Sequence, residues 1–282
     1  MHIGCHVSIA RRLPAGRQGI QNAPKNGHDL GCEVIQIFTR APQGGKAPIL
    51  TDEICEKFKV QSSKFKIKEV YIHTPYYINF ASANNRIRYG SVSVVRDELE
   101  RGNLLGAKYV MTHLGTAKEL GQKEAIKKTI EMLKKSLDGY GGTTKLILEN
   151  SAGAGEIIGD DLKELKVIID GVNSPAIAGI CLDTQHSFAS GYDWRDFEKT
   201  LEKVDLDIGI ENIKLIHAND SQTECGSNKD RHEHIGAGKI GLDAFKNIVA
   251  FAKEHNIDML LETEHPGVED DIRLLKELRD KK

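Results

Sequence analysis

Lys145-Leu146-Ile147-Leu148-Glu149 is the clearest example of the pattern that decides the fold, a short apolar run that ends in an ionisable side chain. Runs of the same kind occur at seven other places, residues 3–8, 33–38, 69–73, 109–113, 178–183, 213–217 and 258–262. Apolar runs of this length are typical of strands in a parallel sheet that is buried on both faces. The sequence therefore predicts eight parallel β-strands.

Segments with apolar residues at helical spacing separate these runs. They cover residues 87–105, 124–133, 162–169, 245–252 and 272–278. Strands that alternate with helices indicate parallel βαβ units, and eight such units in 282 residues fit a closed (β/α)8 barrel. An open doubly wound sheet usually has a glycine-rich phosphate loop after its first strand, and residues 9–18 contain no such loop. Because we find no low-complexity linker, we predict a single α/β domain, a TIM barrel that covers residues 1–282.

The composition and the charge exclude several classes of protein. With 39% hydrophobic and 28% charged residues the chain resembles an ordinary soluble protein, and no apolar run approaches the roughly 18 residues of a membrane helix. The first residues lack the basic and apolar segments of a signal peptide, so we expect a cytoplasmic protein without a membrane partner. The net charge of −2 argues against binding of DNA by bulk charge, so any nucleic-acid site must be a local basic patch or a metal cluster. The five cysteines have no Cys-x-x-Cys spacing and are expected to be free thiols.

Six consecutive predicted strands, the third to the eighth, end in a residue type that binds metal ions. In chain order these residues are His73, His113, Glu149, Asp183, His217 and Glu262. The C-terminal ends of barrel strands meet at one mouth, so we expect the six side chains to share one volume. Ionisable groups crowded together without counter-charge are costly, and a bound metal removes that cost. Imidazole and carboxylate together favour zinc or a similar transition ion over magnesium.

Three further candidates join this set. His186 lies one turn beyond the sixth strand, and Asp230 and His232 are two residues apart, so they would face the same side of an extended loop. Nine ligands are too many for one tetrahedral zinc ion and suit two or three ions that share a bridging carboxylate. Three dications would outweigh the four carboxylates of the set and attract a phosphate group.

The segments around these residues form a recognisable series. The most specific are His217-Ala218-Asn219-Asp220-Ser221 and Asp230-Arg231-His232-Glu233-His234-Ile235-Gly236. The others are Ile3-Gly4-Cys5-His6-Val7-Ser8, His73-Thr74-Pro75-Tyr76-Tyr77-Ile78-Asn79-Phe80-Ala81-Ser82, Leu148-Glu149-Asn150-Ser151-Ala152-Gly153, Cys181-Leu182-Asp183-Thr184-Gln185-His186 and Leu261-Glu262-Thr263. In content and order, over nearly the whole chain, they resemble the endonuclease IV family, also called apurinic/apyrimidinic endonuclease family 2.

The resemblance implies a site of three zinc ions, with manganese as an alternative for some of them. One ion would bind His73, His113 and Glu149. A second would bind Glu149 as a bridge, with Asp183, His217 and Glu262. The third would bind His186, Asp230 and His232. Glu149 is therefore the predicted catalytic residue, and the implied reaction is hydrolysis of the DNA backbone 5′ of abasic sites, together with removal of blocking groups from 3′ ends in base excision repair.

The implied partner is double-stranded DNA with an abasic or 3′-blocked lesion, bound by a monomer. Tyr76, beside His73, is expected to fill the gap that the missing base leaves, and Arg40 and Arg231 are expected to contact DNA. Residues 11–18, from Arg11 to Gln18, are predicted to be a loop insertion. His6 and His234 are predicted to support the metal ligands.

Two alternative classes of protein remain. A metal-dependent sugar isomerase of the same barrel type would have an oxygen-rich two-metal site, and the five histidines among the nine ligands argue against it. A DNA-damage binding module without catalysis would tolerate the loss of ligands, yet none of the nine is missing.

Overall fold

The computed structural model describes residues 1–9, 19–263 and 266–281, together with the backbone of two short strands, Arg12–Leu13 and Gly16–Arg17. Eight parallel strands form a closed ring in which each strand pairs with its neighbours in sequence order, and β1 pairs with both β2 and β8. They are β1 (Ile3–His6), β2 (Val34–Ile37), β3 (Val70–His73), β4 (Tyr109–Thr112), β5 (Lys145–Glu149), β6 (Ile177–Asp183), β7 (Ile213–His217) and β8 (Asp258–Leu261). The predicted (β/α)8 barrel is confirmed.

Nine α-helices lie in the described ranges, most of them packed on the outside of the barrel. They are α1 (Ala23–Asp29), α2 (Asp52–Lys64), α3 (Asn85–Leu105), α4 (Gln122–Leu137), α5 (Leu162–Val172), α6 (Thr184–Ala189), α7 (Phe197–Ile208), α8 (Leu242–Glu254) and α9 (Val268–Asp280). The five predicted helical segments correspond to α3, α4, α5, α8 and α9, and each helix is longer than its apolar pattern. None of these helices has both the length and the hydropathy that a membrane crossing needs.

The core inside the barrel consists of one buried side chain from each of seven strands. These residues are Val34, Tyr71, Met111, Ile147, Cys181, Leu215 and Leu260. The remaining strand, β1, has Gly4 at this level. A side chain does not fit there, because a Cβ atom would lie 1.7 Å from the carbonyl oxygen of Val34. Strand side chains alternate between the two faces of the sheet, so the residue two positions later on each strand also points inward, nearer the C-terminal mouth.

This second inward layer contains the candidate site. Its members are His6, Gln36, His73, His113, Glu149, Asp183, His217 and Glu262. Strands β4 and β8 end one residue earlier than predicted, so His113 and Glu262 directly follow their strands. The predicted insertion at residues 11–18 lies outside the described residues, apart from the backbone of its antiparallel strand pair. All five cysteines are free, as expected.

Candidate metal centre

The nine predicted ligands converge at the C-terminal mouth of the barrel. Eight of them form three overlapping groups in which the ligand atoms all lie within 4.8 Å of one another. The groups are His73, His113 and Glu149; Glu149, Asp183, His217 and Glu262; and Asp183, His186 and His232. Two carboxylates belong to two groups each, so Glu149 and Asp183 join the three groups into one continuous site.

Glu149 lies at the centre of this site and is fully buried at the end of β5. Its Oε2 atom is 3.1 Å from Nε2 of His113 and 3.5 Å from Nε2 of His73. Its Oε1 atom is 2.9 Å from Nδ1 of His217. The two oxygens of one carboxylate thus face two different groups, which is the arrangement that a bridging ligand requires.

Asp230 is less tightly placed than the other eight. Its Oδ1 atom lies 3.5 Å from Nε2 of His186 and 3.4 Å from Nε2 of His232, but its side chain is 60% exposed. Asp183 Oδ2, 3.8 Å from Nε2 of His232, completes the third group on the buried side. The third group therefore has a carboxylate on each side of its two imidazoles.

Local backbone structure orients the two histidines that flank the shared carboxylates. Asp183 ends β6 and caps α6, where its Oδ1 atom accepts a hydrogen bond of 2.8 Å from the backbone N–H of His186. Nδ1 of His186 donates to the carbonyl of Asn150 at 3.0 Å, and Nδ1 of His73 donates to the carbonyl of Thr74 at 2.5 Å. Both rings therefore turn Nε2 towards the site.

The loop that carries Asp230 and His232 is held by one buried carboxylate. The short strand His232–Glu233 pairs with Asp220–Ser221, just after β7. The Asp220 carboxylate accepts backbone hydrogen bonds from Gly236 at 2.9 Å and from Ile240 at 2.9 Å. Because an unsatisfied buried carboxylate is costly, these bonds fix the return of the loop towards α8.

The electrostatics of the site favour positive charge. Burial opposes protonation of His186, yet Asp183 and neighbouring carboxylates outweigh burial and raise its pKa to about 10. Burial also opposes ionisation of Glu149, yet the imidazoles of His113 and His217 lower its pKa well below the usual range. Glu149 thus stays ionised and attracts cations, whether protons or metal ions.

Unsatisfied atoms provide a separate test of metal binding. Glu149 Oε2 and His232 Nε2 are buried and have no hydrogen-bond partner within the described part of the chain. Glu149 belongs to two of the three groups and His232 to the third. A buried donor or acceptor without a partner is costly, and a cation between the ligand atoms would remove that cost. The residues present therefore fit a metal cluster of imidazole and carboxylate ligands.

Buried amides beside the ligands were missed by the sequence analysis. Gln36 donates to Glu262 Oε1 at 2.7 Å, and Asn219 donates to Asp183 Oδ2 at 2.7 Å. Asn150 accepts from the backbone N–H of Asp183 at 2.7 Å. Amides are not typical metal ligands, so their residue type alone does not mark them as part of the site. The available signal for Gln36 was its position on β2, equivalent to that of the ligands on the other strands.

Of the predicted DNA-binding residues, Tyr76 and Arg40 line the cavity at the mouth, and Arg231 lies between two lining residues, Asp230 and His232. A cavity of about 1040 Å³ extends outward from the histidines, and Tyr76 lines it with 63% of its surface exposed. The Tyr76 ring packs edge-on against Phe38 and His73, with ring centroids 5.3 and 5.7 Å apart. Arg231 is exposed beside Asp230, and its Nη1 atom donates to the Asp230 carbonyl at 2.6 Å.

Arg40 is paired with acidic residues of the protein itself. Only 8% of its side chain is exposed, and its guanidinium donates to Glu98 and Asp97. Glu98 is fully buried in α3 and needs a counter-charge, which Arg40 supplies. Arg40 therefore holds the loop after β2 in place, and its contact with DNA stays a prediction.

His234 differs from its prediction. Its Nδ1 atom is 2.7 Å from Oδ2 of Asp271 in α9, and Asp271 Oδ1 accepts from the backbone N–H of Ile235. His234 thus anchors the loop to the last helix and contacts none of the nine ligands. His6, in contrast, lies 4.0 Å from Glu262 and contacts Gln36, as predicted for a residue that supports the ligands.

Known proteins match this chain over most of its length. The profile of a family described as a xylose isomerase-like TIM barrel matches residues 24–278. A probable endonuclease 4 from Cenarchaeum symbiosum is 33% identical over 99% of both chains. A probable endonuclease 4 from Halothermothrix orenii is 35% identical, again over 99% of both chains.

Solved structures with the same fold cover nearly the whole chain. Endonuclease IV from Thermus thermophilus superposes with a TM-score of 0.86 and 29% identity, over 99% of this chain and 98% of that chain. A D-tagatose 3-epimerase-like protein superposes with a TM-score of 0.73 at 22% identity, over 99% and 97% of the two chains, and shares the fold alone. The chain therefore belongs to the endonuclease IV family of apurinic/apyrimidinic endonucleases.

Proposed function

We propose that this chain is a zinc-dependent phosphodiesterase that acts as a monomer on double-stranded DNA. It hydrolyses the backbone 5′ of abasic sites and trims blocked 3′ ends. The observation that carries the proposal is the set of three ligand groups joined by Glu149 and Asp183 at the base of an open cavity. With metal ions bound, such a site presents several positive charges to one phosphate. The net charge of the chain, −2, does not attract DNA by itself.

Three zinc ions suit the donors that are present. Imidazole nitrogen and carboxylate oxygen are common zinc ligands, and each group combines both kinds. In this proposal the ligands are His73, His113 and Glu149 for one ion, Glu149, Asp183, His217 and Glu262 for the second, and His186, Asp230 and His232 for the third. When bound, the ions would supply Lewis-acid stabilisation of phosphate charge and a source of nucleophile from water near neutral pH.

The residues of the chain position and shield the reacting phosphate. Glu149 fixes the spacing of two groups because its two oxygens face different imidazoles, 2.9 Å from His217 and 3.1 Å from His113. The backbone bonds of His73 and His186 keep their Nε2 atoms directed into the site. Preorganised ligands of this kind avoid rearrangement during the reaction.

The recessed position of the site explains a preference for damaged DNA. A phosphodiester reaches the base of the cavity only if its nucleotide leaves the helical stack. Unpairing costs least where a base is missing, so abasic nucleotides enter most easily. Tyr76, exposed at the entrance, is placed to fill the space that the extruded nucleotide leaves.

Glu149→Gln tests this function. We expect nicking of a duplex with one tetrahydrofuran abasic analogue to fall by a factor on the order of 10³ or more, because one bridging charge is lost. DNA binding should persist, and elemental analysis should give fewer than the three zinc ions per chain expected of the unaltered protein. Undiminished nicking by this variant would contradict the bridging role.

The matched control is Glu100→Gln. Glu100 is an exposed glutamate of α3 that pairs with Arg96, so its amide variant should nick and bind zinc normally. The unaltered protein should also be tested with ketose and aldose sugars. Sugar interconversion without DNA nicking would favour the isomerase alternative, and binding without nicking would favour a damage-binding module.

A further inference from the structure

We infer that Gln36 is a positioning residue that determines which nitrogen of His217 and of His6 carries a proton, and that His6 consequently presents an Nε2–H donor to a phosphate oxygen of the substrate. Gln36 is fully buried in the inward layer of β2. Its single amide contacts three side chains, those of Glu262, His217 and His6. The part that concerns the phosphate rests on the proposed function, and the part that concerns the protons does not.

The orientation of the Gln36 amide follows from Glu262. Nε2 of Gln36 is 2.7 Å from Oε1 of Glu262. The other oxygen of Glu262, Oε2, lies 3.2 Å from Nδ1 of His217, and a carboxylate must be ionised to serve as a metal ligand. An ionised carboxylate only accepts hydrogen bonds, so the amide group that faces it must be the NH2 group and not the carbonyl.

The amide carbonyl then fixes His217. With the NH2 group on Glu262, the Gln36 Oε1 atom faces Nε2 of His217 at 2.9 Å. A carbonyl oxygen only accepts, so His217 must carry a proton on Nε2. Its Nδ1 atom is consequently the metal-binding nitrogen, and it points at Glu149 Oε1, 2.9 Å away, and at Glu262 Oε2, 3.2 Å away. A hydrogen bond that fixes the other ring nitrogen is a common support for histidine ligands.

The second amide proton fixes His6. Nε2 of Gln36 also lies 3.1 Å from Nδ1 of His6. Because the amide nitrogen donates, Nδ1 of His6 must accept, and the proton of the neutral ring is on Nε2. Within the described ranges Nε2 of His6 has no hydrogen-bond partner. The ring lines the cavity, packs against Phe38 with centroids 4.4 Å apart and the ring planes tilted by 49°, and is 21% exposed.

An N–H donor at this position suits an oxyanion. The ring is held on one side by Phe38 and on the other by Gln36, so its free N–H is fixed in direction before a substrate binds. Hydrogen bonds to charged oxygens are stronger than those between neutral groups, and a fixed donor loses little entropy. A phosphate oxygen of the DNA backbone near the Glu262 side of the site is the group that this donor would bind.

Nitrogen-15 NMR of the histidine rings tests the proton positions directly, independently of nuclease activity. In the zinc-loaded protein labelled at histidine, we expect the Nε2–H form for both His6 and His217. In Gln36→Glu the new carboxylate still accepts from His217, so that ring should be unchanged. It can no longer donate to His6, so the His6 proton should move to Nδ1. A proton on Nδ1 of His6 in the unaltered protein would overturn the inference, whether or not any variant folds.

Steady-state kinetics on the abasic duplex tests the substrate contact. Both His6→Ala and Gln36→Glu should raise KM by about tenfold, and the double variant should raise it no further than either single change. The zinc content of His6→Ala should remain that of the unaltered protein. Independent, multiplicative effects on KM would overturn the link between the two residues.

The control is Asn212→Asp. The amide of Asn212 donates to the carbonyl of Ile208 at 2.7 Å, beside the start of β7 and away from the mouth. This change should alter neither histidine spectrum nor KM. If the spectra are as expected but no abasic duplex is nicked, the proposed function fails while the role of Gln36 in placing the protons stands.

Discussion

Tyr76 is a large aromatic side chain that the fold presents to solvent instead of burying. Tyr76 is 63% exposed, although its ring makes edge-to-face contacts with the rings of Phe38 and His73. A supported, exposed ring at a cavity entrance suits stacking on DNA bases, which contributes about 1–3 kcal/mol per base. We expect Tyr76→Ala to reduce the preference for abasic over intact duplex by about tenfold, measured as a ratio of Kd values in the cleavage-deficient Glu149→Gln background.

Tyr76→Phe is the matched variant for this measurement. It keeps the ring and removes only the hydroxyl, so the Kd ratio should stay close to that of the parent. If Tyr76→Ala bound both duplexes with an unchanged ratio, the ring would have no part in recognising the lesion.

At the residue scale, the sequence was most informative where a residue of metal-ligand type stood at the end of a predicted strand. Glu149 and His217 end their strands and are of ligand type, so they could be located without coordinates. Gln36 occupies an equivalent position on β2 but is not a ligand type. The partner of Arg40 could not be predicted, because Glu98 lies 58 residues away in the chain and only the packing of α3 brings the two together.

At the scale of elements, one buried ion pair joins α3 to the loop after β2. Arg40 and Glu98 are both nearly inaccessible to solvent, and Thr39 also donates to Glu98. Removal of one partner leaves an unpaired buried charge, which typically costs about 3–5 kcal/mol. We expect Arg40→Met and Glu98→Leu each to lower the free energy of unfolding by about 3 kcal/mol, measured by urea denaturation.

The double variant provides the control for this pair. Arg40→Met with Glu98→Leu leaves neither member of the buried pair without its partner, and Asp97, which is 51% exposed, remains in contact with solvent, so the loss should be clearly smaller than the sum of the two single losses. Strict additivity would show that the pair is not coupled. An unchanged affinity of Arg40→Met for intact duplex DNA would agree with the burial of the guanidinium.

Packing accounts for the predictability of some helices, although α7 is as one-sided as α4 and was not predicted. Helices α4 and α5 have a strongly one-sided distribution of apolar residues, which the sequence shows as helical spacing. Helix α2 buries only Cys55 and Phe58, so its pattern is too weak to read. Helix α6 has the opposite problem, since all six of its residues are buried and no polar face marks its period. Its start was readable only from the Asp183 cap.

At the scale of the whole molecule, the ends of the chain meet where the barrel closes. The number of strand-helix units predicted this closure, because a sheet of eight parallel strands is typical of the barrel. The contacts that secure it depend on side chains far apart in sequence. Glu33, just before β2, accepts from the backbone N–H of Ile3 at 3.0 Å and from Arg279 of α9 at 2.6 Å, and Lys276 lies 3.7 Å away.

The contribution of these Glu33 contacts to the stability of the closed barrel should therefore depend on pH. Burial opposes ionisation of Glu33, but Arg279 and the Ile3 amide outweigh it and lower the Glu33 pKa from its ordinary value of 4.5. A carboxylate with a lowered pKa in the folded state stabilises the fold above pH 4.5, and this contribution is lost as the pH falls through the lower, folded-state pKa. We expect Glu33→Gln to lower the free energy of unfolding by about 1 kcal/mol at pH 7, with the difference from the unaltered protein shrinking towards pH 3 in urea titrations.

Glu53→Gln separates this effect from the general loss of a surface charge. Glu53 pairs with Lys57 on the exposed face of α2, where water screens the interaction, so its variant should unfold like the unaltered protein at every pH. If Glu33→Gln behaved in the same way, the contacts of Glu33 with β1 and α9 would add nothing to closure. A pH-dependent difference confined to Glu33→Gln would mean that the last helix is held on the barrel partly by this carboxylate.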